Sequence, residues 1–352
     1  MEKSERKRKK LSLTEGSLFK NIILFSLPLM LSNLLQVLFN MSDVAVVGRF
    51  AGAAALGAVG STSILVMLFT GFAIGIGSGV NSLIARHIGA GDDEEVASAF
   101  RASAVVSLAV GIVAAALGIG LSEPLLSLLQ TKPEFIDGAV LYVRIYFCGM
   151  PALAVYNLGN GVFSADGDTK RPLIFMSIAG VVNILLNLLF VIVCDMSVVG
   201  VALASIISQY LSAALIVAAL MRTKRPYRLR FRQFKISGDK VKRVLMLGIP
   251  AGFQNAIFSA ANLFIQAGVN SFDAVMVEGN SAASNADAII YDLMAAFYTA
   301  CTSFMSQNFG AGKNDRILKS YFVCLLYSFG IGAIMGGVLL LGGRYFLALC
   351  TT

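Results

Sequence analysis

The chain predicts an all-α polytopic membrane protein, and three observations carry that class. Of its 352 residues, 57% are hydrophobic and only 14% charged, where soluble domains carry about 25% charged residues. The mean hydropathy is +0.78. Apolar runs long enough to cross the hydrocarbon, which takes roughly 20 helical residues each, recur along the whole length. Backbone groups in lipid must be bonded internally, and these runs lack the alternation of barrel strands, so helices are the expected form.

Nine spans are expected, at about 20–43, 53–83, 96–120, 136–162, 172–194, 197–221, 243–269, 281–307 and 319–349. They divide the chain into a basic cytoplasmic tail at 1–19, a six-helix N-terminal lobe at 20–221, a basic cytoplasmic linker at 222–242 and an incomplete three-helix C-terminal lobe at 243–352. The basic clusters "KSERKRKK" and "RTKRPYRLRFRQFK" precede the first span and separate the sixth from the seventh, so the net charge of +8 follows the positive-inside rule and does not point to nucleic acid. With the amino terminus inside, connections near Arg49, Lys132, Asp195 and Asp273 fall outside. Those carrying Arg86, Lys170, Arg171, Lys313 and Arg316 fall inside, and nine crossings leave the carboxyl terminus extracytoplasmic.

The first apolar run is too long for a secretory signal and lacks a small-residue cleavage site, so it is expected to stay as a span. The cysteines Cys148, Cys194, Cys301, Cys324 and Cys350 show no paired metal spacing and indicate no disulfide. Tyr142, Tyr146 and Tyr227 are expected as interface anchors, Arg144 as a snorkelling or acid-paired cation, and His87 as a solvated turn residue.

The search for repeats is the most informative step. "SLIARHIGAGDDEEVASAF" from Ser82 returns as "SFMSQNFGAGKNDRILKSY" from Ser303, an offset of 221 that aligns Gly89, Ala90 and Gly91 with Gly310, Ala311 and Gly312. Nearer the start of each copy the offset is 222, so that Pro28, Asn33 and Asn40 meet Pro250, Asn255 and Asn262. The second copy stops after three spans, with Thr352 opposite Thr131, so the expectation is a fragment or truncated product lacking its last three helices.

A duplicated six-plus-six bundle, the first-span pattern "LPLMLSNLLQVLFNMSDVAVVGR", the two "GAG" turns and "GVFSADGDTKRP" after the fourth span together resemble the MATE family of multidrug and toxin extrusion transporters. That resemblance implies two lobes around a central cavity in the cell membrane, with alternating access. It also implies export of drug-like, often cationic, amphipathic small molecules in exchange for H⁺ or Na⁺, with no other cofactor. A lipid-linked oligosaccharide or lipid flippase of the same superfamily is the alternative, as is an inactive truncated transporter. An integral membrane enzyme would need convergent catalytic groups, which one histidine and scattered serines do not supply.

The residues that stand out are those that are costly in lipid. An intramembrane carboxylate costs a few kcal/mol and is a functional candidate by default. Asp43 lies at the end of the first apolar run, and from position alone it is either an interfacial acid reaching water or a working carboxylate. Asn183 and Asn187 in "GVVNILLNLLFV" share one helical face. The resemblance matches Asp43 to the family's first-helix acid implicated in cation coupling, the two asparagines to its fifth-helix polar pair, and Ser205 to a small-hydroxyl position of the same site. Either ion suits this chemistry: burial disfavours a charged carboxylate and so favours proton uptake, while Na⁺ at Asp43, Asn183 and Asn187 would need oxygens to replace its water. Gln36, Asn40, Gln254, Asn255, Asn262, Asp287 and Asp292 are candidates for the substrate cavity. In one branch of the family the seventh helix carries a glutamate; Phe258 stands near that position here.

Overall fold

The computed structural model describes residues 11–129, 131–230, 236–269, 272 and 274–350. The basic cluster at 3–10, the turn at Asp273, residues 231–235 of the linker and the Thr352 end of the repeat lie outside them. Among the described residues the chain is helical throughout: α1 Leu18–Val46, α2 Gly52–Ala90, α3 Asp93–Gly120, α4 Ser122–Leu128, α5 Pro133–Phe147, α6 Met150–Ala165, α7 Lys170–Asn187, α8 Ser197–Arg222, α9 Gly238–Val269, α10 Ala274–Gly310 and α11 Asn314–Cys350. Six continuous helical stretches are long and apolar enough to cross a membrane, one of them running from Leu18 to Ala90, and α5 with α6, bent by 46°, make a seventh. The six-plus-three partition expected from hydropathy is not established by this inventory.

Local chemistry accounts for the breaks. The connection expected near Arg49 is a π-helical turn at Val47–Ala51. α2 then begins at Gly52, whose φ of 86° is accessible at little cost only without a Cβ. The α5–α6 bend falls at Cys148 and Gly149, just before Pro151 opens the next helix. The "GAG" motif is a helix stop: Gly91 and Gly312, 221 residues apart, both adopt the left-handed conformation, at φ 71° and 68°. Asp92 then caps α3 by accepting the Glu95 amide at 3.0 Å.

The repeat reappears as paired contacts. A methyl group at Gly89 would strike the Gln307 carbonyl, and one at Gly310 would strike that of Arg86. Gly310 and Gln307 are the copies of Gly89 and Arg86 at the 221 offset, so α2 and α10 cross with the reciprocity of a two-fold. The Asn255 amide donates to the Gly71 carbonyl at 3.0 Å, and its copy Asn33 donates to the carbonyl of Asp292, the copy of Gly71, at 2.8 Å.

These contacts gather toward the end of the bundle that carries the basic linker. Asn81 and Ser303 exchange side-chain hydrogen bonds at 2.9 and 3.1 Å, Ser82 meets Ser306 at 3.0 Å, and the Gln307 amide donates to the Ala165 carbonyl at 2.5 Å. Lys240 of α9 pairs with Glu95 of α3. Residues 11–17, expected as part of a basic tail, run against α10 and α11: Asn308 and Lys313 donate to the carbonyls of Leu13 and Thr14 at 3.1 and 3.0 Å, and Leu13 joins an apolar cluster with Phe25, Phe297 and Phe304.

Several sequence expectations change. Tyr142 and Tyr227, read as interface anchors, are 7% and 2% exposed, because each ring packs between helices rather than at a boundary with water. His87 is buried at the end of α2, 3.8 Å from Glu95, rather than solvated in a turn, since α2 runs on past the expected span edge. Arg144 donates to the Ser122 hydroxyl at 3.1 Å, so neither snorkelling alone nor an acid partner describes it.

Candidate functional site

The site begins with a helix pair that can approach closely. Gly180, Asn183 and Asn187 fall on one face of α7, and the missing side chain at Gly180 is filled by the ring of Phe39 on α1. Asp43 lies one turn further along α1, so the contact that seats Phe39 also brings the carboxylate to Asn187. The Asn187 Nδ2 donates to Asp43 Oδ1 at 2.5 Å and lies 3.3 Å from Asn183 Oδ1. Ser205, on α8, adds its hydroxyl to the neighbours of Asp43.

Asn187 is fully buried, Asn183 and Ser205 are 6% and 8% exposed, and Asp43 is half-buried. The side-chain oxygen of Asn187, Oδ1, is shielded from solvent and makes no hydrogen bond. The site gathers oxygens, a carboxylate, two amide oxygens and a hydroxyl, with the Asn187 N–H and the Ser205 hydroxyl both hydrogen-bonded to the carboxylate. That donor set suits a hard cation or a proton on the carboxylate. It is not a cluster of three or more His, Cys, Asp or Glu, of which the described residues contain none.

Two further features border the site. α1 and α7 each pass into a π-helical segment just beyond their polar residue, at Val47–Ala51 and Leu188–Val193. Such widened turns leave an i→i−4 ladder irregular and recur at functional sites. Tyr142 and Tyr146 of α5 stack with ring centroids 5.8 Å apart and stand within electrostatic reach of Asp43. The sequence reading missed them, although their spacing of four on one helical face was the available signal.

The other candidate residues differ in exposure and lie on α1, α9 and α10. Gln36 is half-buried and Asn40 exposed on α1; Gln254 and Asn262 are exposed on α9, and Asp287 is exposed on α10. Asn255 is half-buried with its amide on the Gly71 carbonyl, a bond between helices of different repeats. Asp292 is half-buried, and its carbonyl receives Asn33. Beside it, Tyr291 stacks on Phe258 at 5.1 Å and 13°, so the position near the glutamate of one family branch holds an aromatic pair.

Comparison with known proteins agrees with this architecture. The MatE family model matches residues 28–189 and 250–352. The probable multidrug resistance protein YpnP of Bacillus subtilis is 34% identical over 306 residues, 86% of this chain and 68% of its own length. A second relative, the FAD transporter of Shewanella oneidensis, is 24% identical over 86% of this chain and 68% of its own length. Among solved structures, an outward-facing multidrug resistance MATE family transporter of the MOP superfamily superposes with a TM-score of 0.90 at 25% identity, over 97% of this chain and 76% of the other. A MOP superfamily transporter from Pyrococcus furiosus, described as having a binding pocket of reverse polarity, gives the same TM-score and coverage. The absent half-lobe expected from the repeat is not established by these lengths.

Proposed function

The chain belongs to the MatE family, and on that premise we propose that it is a secondary active multidrug exporter of the cell membrane, coupled to H⁺ or Na⁺ through Asp43. The observation that carries the coupling site is the Asp43–Asn187 contact with Asn183 and Ser205 beside it. The exported molecules are drug-like and amphipathic, often cationic. Phe258, Tyr291 and Asp292, which offer aromatic faces and a carboxylate close together on α9 and α10, supply a surface for such molecules.

The linker end of the bundle is read as cytoplasmic, with the amino terminus inside and the end of this chain outside, in keeping with its Lys and Arg content. On this reading the contacts across α2 and α10 at that end support a state closed to the cytoplasm. In exchange, a cation taken up at Asp43 neutralises the carboxylate and frees the Asn187 N–H, which loosens the hold of α7 on α1. Substrate and ion then favour different arrangements of α1, and each lowers the other's occupancy by its differential affinity for them. Six helices in the first lobe and three in the second, joined by the linker at 222–242, remain the proposed partition.

Asp43→Asn tests the reading in cells producing normal protein levels. Ion-driven efflux is expected to fall to the level of cells lacking the protein, with substrate binding retained. Unchanged ion-coupled efflux removes Asp43 from the mechanism.

A further inference from the structure

The linker after α8 has a structure that efflux does not use. Beyond Arg222 the chain folds back: the Leu229 amide donates to the Leu220 carbonyl at 3.1 Å, and the Arg228 guanidinium Nε to the Met221 carbonyl at 3.0 Å. Tyr227 pins this turn. Its ring meets Phe163 edge-on at 6.3 Å, and its hydroxyl donates to Asp166 Oδ2 at 2.8 Å. Burial, then the adjacent Asp166 carboxylate, hold the phenol well above its ordinary range, so it remains a donor at neutral pH.

The pinned linker borders a half-open cavity of about 380 Å³ against the first turns of α3. Arg101 of α3 and Lys224, Arg225, Arg228 and Arg230 of the linker line it, together with the acids Asp93 and Glu94. Arg225 is partly compensated by Asp166 at 3.7 Å. Arg101 Nε, by contrast, is shielded from solvent and makes no hydrogen bond. The positive-inside rule asks only for cations near the membrane surface. It does not ask for a tyrosine-pinned loop or for a guanidinium donor withdrawn from water, which costs free energy until an acceptor meets it.

A phosphate group is the acceptor that several guanidinium forks hold together, through parallel charge-assisted N–H···O bonds. We propose that this cavity binds a phosphate group, carried by the headgroup of an anionic phospholipid or by a soluble phosphate. Pockets of this kind, basic and at the membrane surface beside spanning helices, suit anionic headgroups. Occupancy would fasten the linker to α3 and so to the first repeat.

Native mass spectrometry of the full chain in detergent tests the site, using phosphatidylglycerol, phosphatidylcholine and inorganic phosphate as separate probes. Binding of phosphatidylglycerol over phosphatidylcholine identifies the lipid source; binding of inorganic phosphate that also displaces the lipid identifies the soluble one. In either case Arg101→Gln with Lys224→Gln is expected to weaken binding about thirty-fold, the effect of two cations near the membrane surface. Arg222→Gln with Lys242→Gln, equal in charge but outside the cavity, removes no hydrogen bond to the bound group and is expected to cost at least several-fold less than the first double. Equal losses in both doubles, or no preference for either phosphate-bearing probe, overturn the proposal. Should the first double fail to accumulate, Arg101→Lys keeps the charge and removes the fork; binding is then expected to weaken several-fold, and unchanged binding overturns the site.

Discussion

The two repeats place equivalent helices against each other with different tightness. Along α2 and α9, glycines face glycines: a methyl group at Gly75 or Gly79 would strike the backbone of Gly252 or Gly248, so the two backbones lie in direct contact. Along α1 and α10 the equivalent positions are Ala296 and Ala300 against Met30 and Ser26, none of them glycine. Small residues give membrane helices their closest packing. The repeat thus joins a tight seam to a looser one, and the looser seam belongs to α1, the helix with Pro28 and Asp43. The equivalent of Asp43 on the tightly held α9 is Ile265, which is 61% exposed. The carboxylate therefore has no counterpart on the helix of the glycine seam.

Wedging the tight seam tests this contrast with the largest expected effect. Gly75→Leu forces a branched side chain into backbone contact and is expected to destabilise by about 3 kcal/mol or more, read as a lowered melting temperature in detergent. Its mirror, Ala296→Leu, is expected to cost about 1–2 kcal/mol. Equal losses would mean that the two seams do not differ.

A middle-sized effect falls on the polar contact. Asn187→Ala removes the donor to Asp43 and is expected to weaken ion-coupled efflux roughly ten- to hundred-fold, the cost of leaving a buried charged group without its hydrogen bond. Ile265→Asn, at the copied position, is expected to change coupling less than about two-fold, as for surface substitutions away from a site. A comparable loss there would assign coupling to both repeats. The smallest effects belong to the mirrored amides. Asn255→Ala and Asn33→Ala are each expected to cost about 0.6 kcal/mol, an ordinary interhelical hydrogen bond in a membrane. A larger loss at Asn33 would place the firmer hold on α1 and reverse the contrast.

Much of this was legible in the sequence, because the features concerned are local or periodic. The glycine turns at Gly91 and Gly312, the apolar runs and the four-residue spacing of Asn183 and Asn187 depend on near neighbours. Asp43 could be singled out because a carboxylate in an apolar run is costly wherever the helix packs. What escaped depends on which helices meet. The Tyr142–Tyr146 stack near Asp43 and the burial of His87 follow from the placement of α5 and of the α2 end. The polarity of Asn255 was visible, while the Gly71 carbonyl that receives its amide was not. The linker was legible as charge alone; Tyr227 and Asp166, far apart in sequence, decide that it folds back.

The most direct test of the account is the infrared difference spectrum of the reconstituted protein on a pH jump and on addition of Na⁺. A carboxyl C=O band that appears with protonation or shifts with Na⁺, together with an amide change from the α1–α7 contact, is expected in the wild type and expected to vanish in Asp43→Asn. The same difference spectrum in both proteins would show that the cation is taken up elsewhere and would contradict the role given to Asp43.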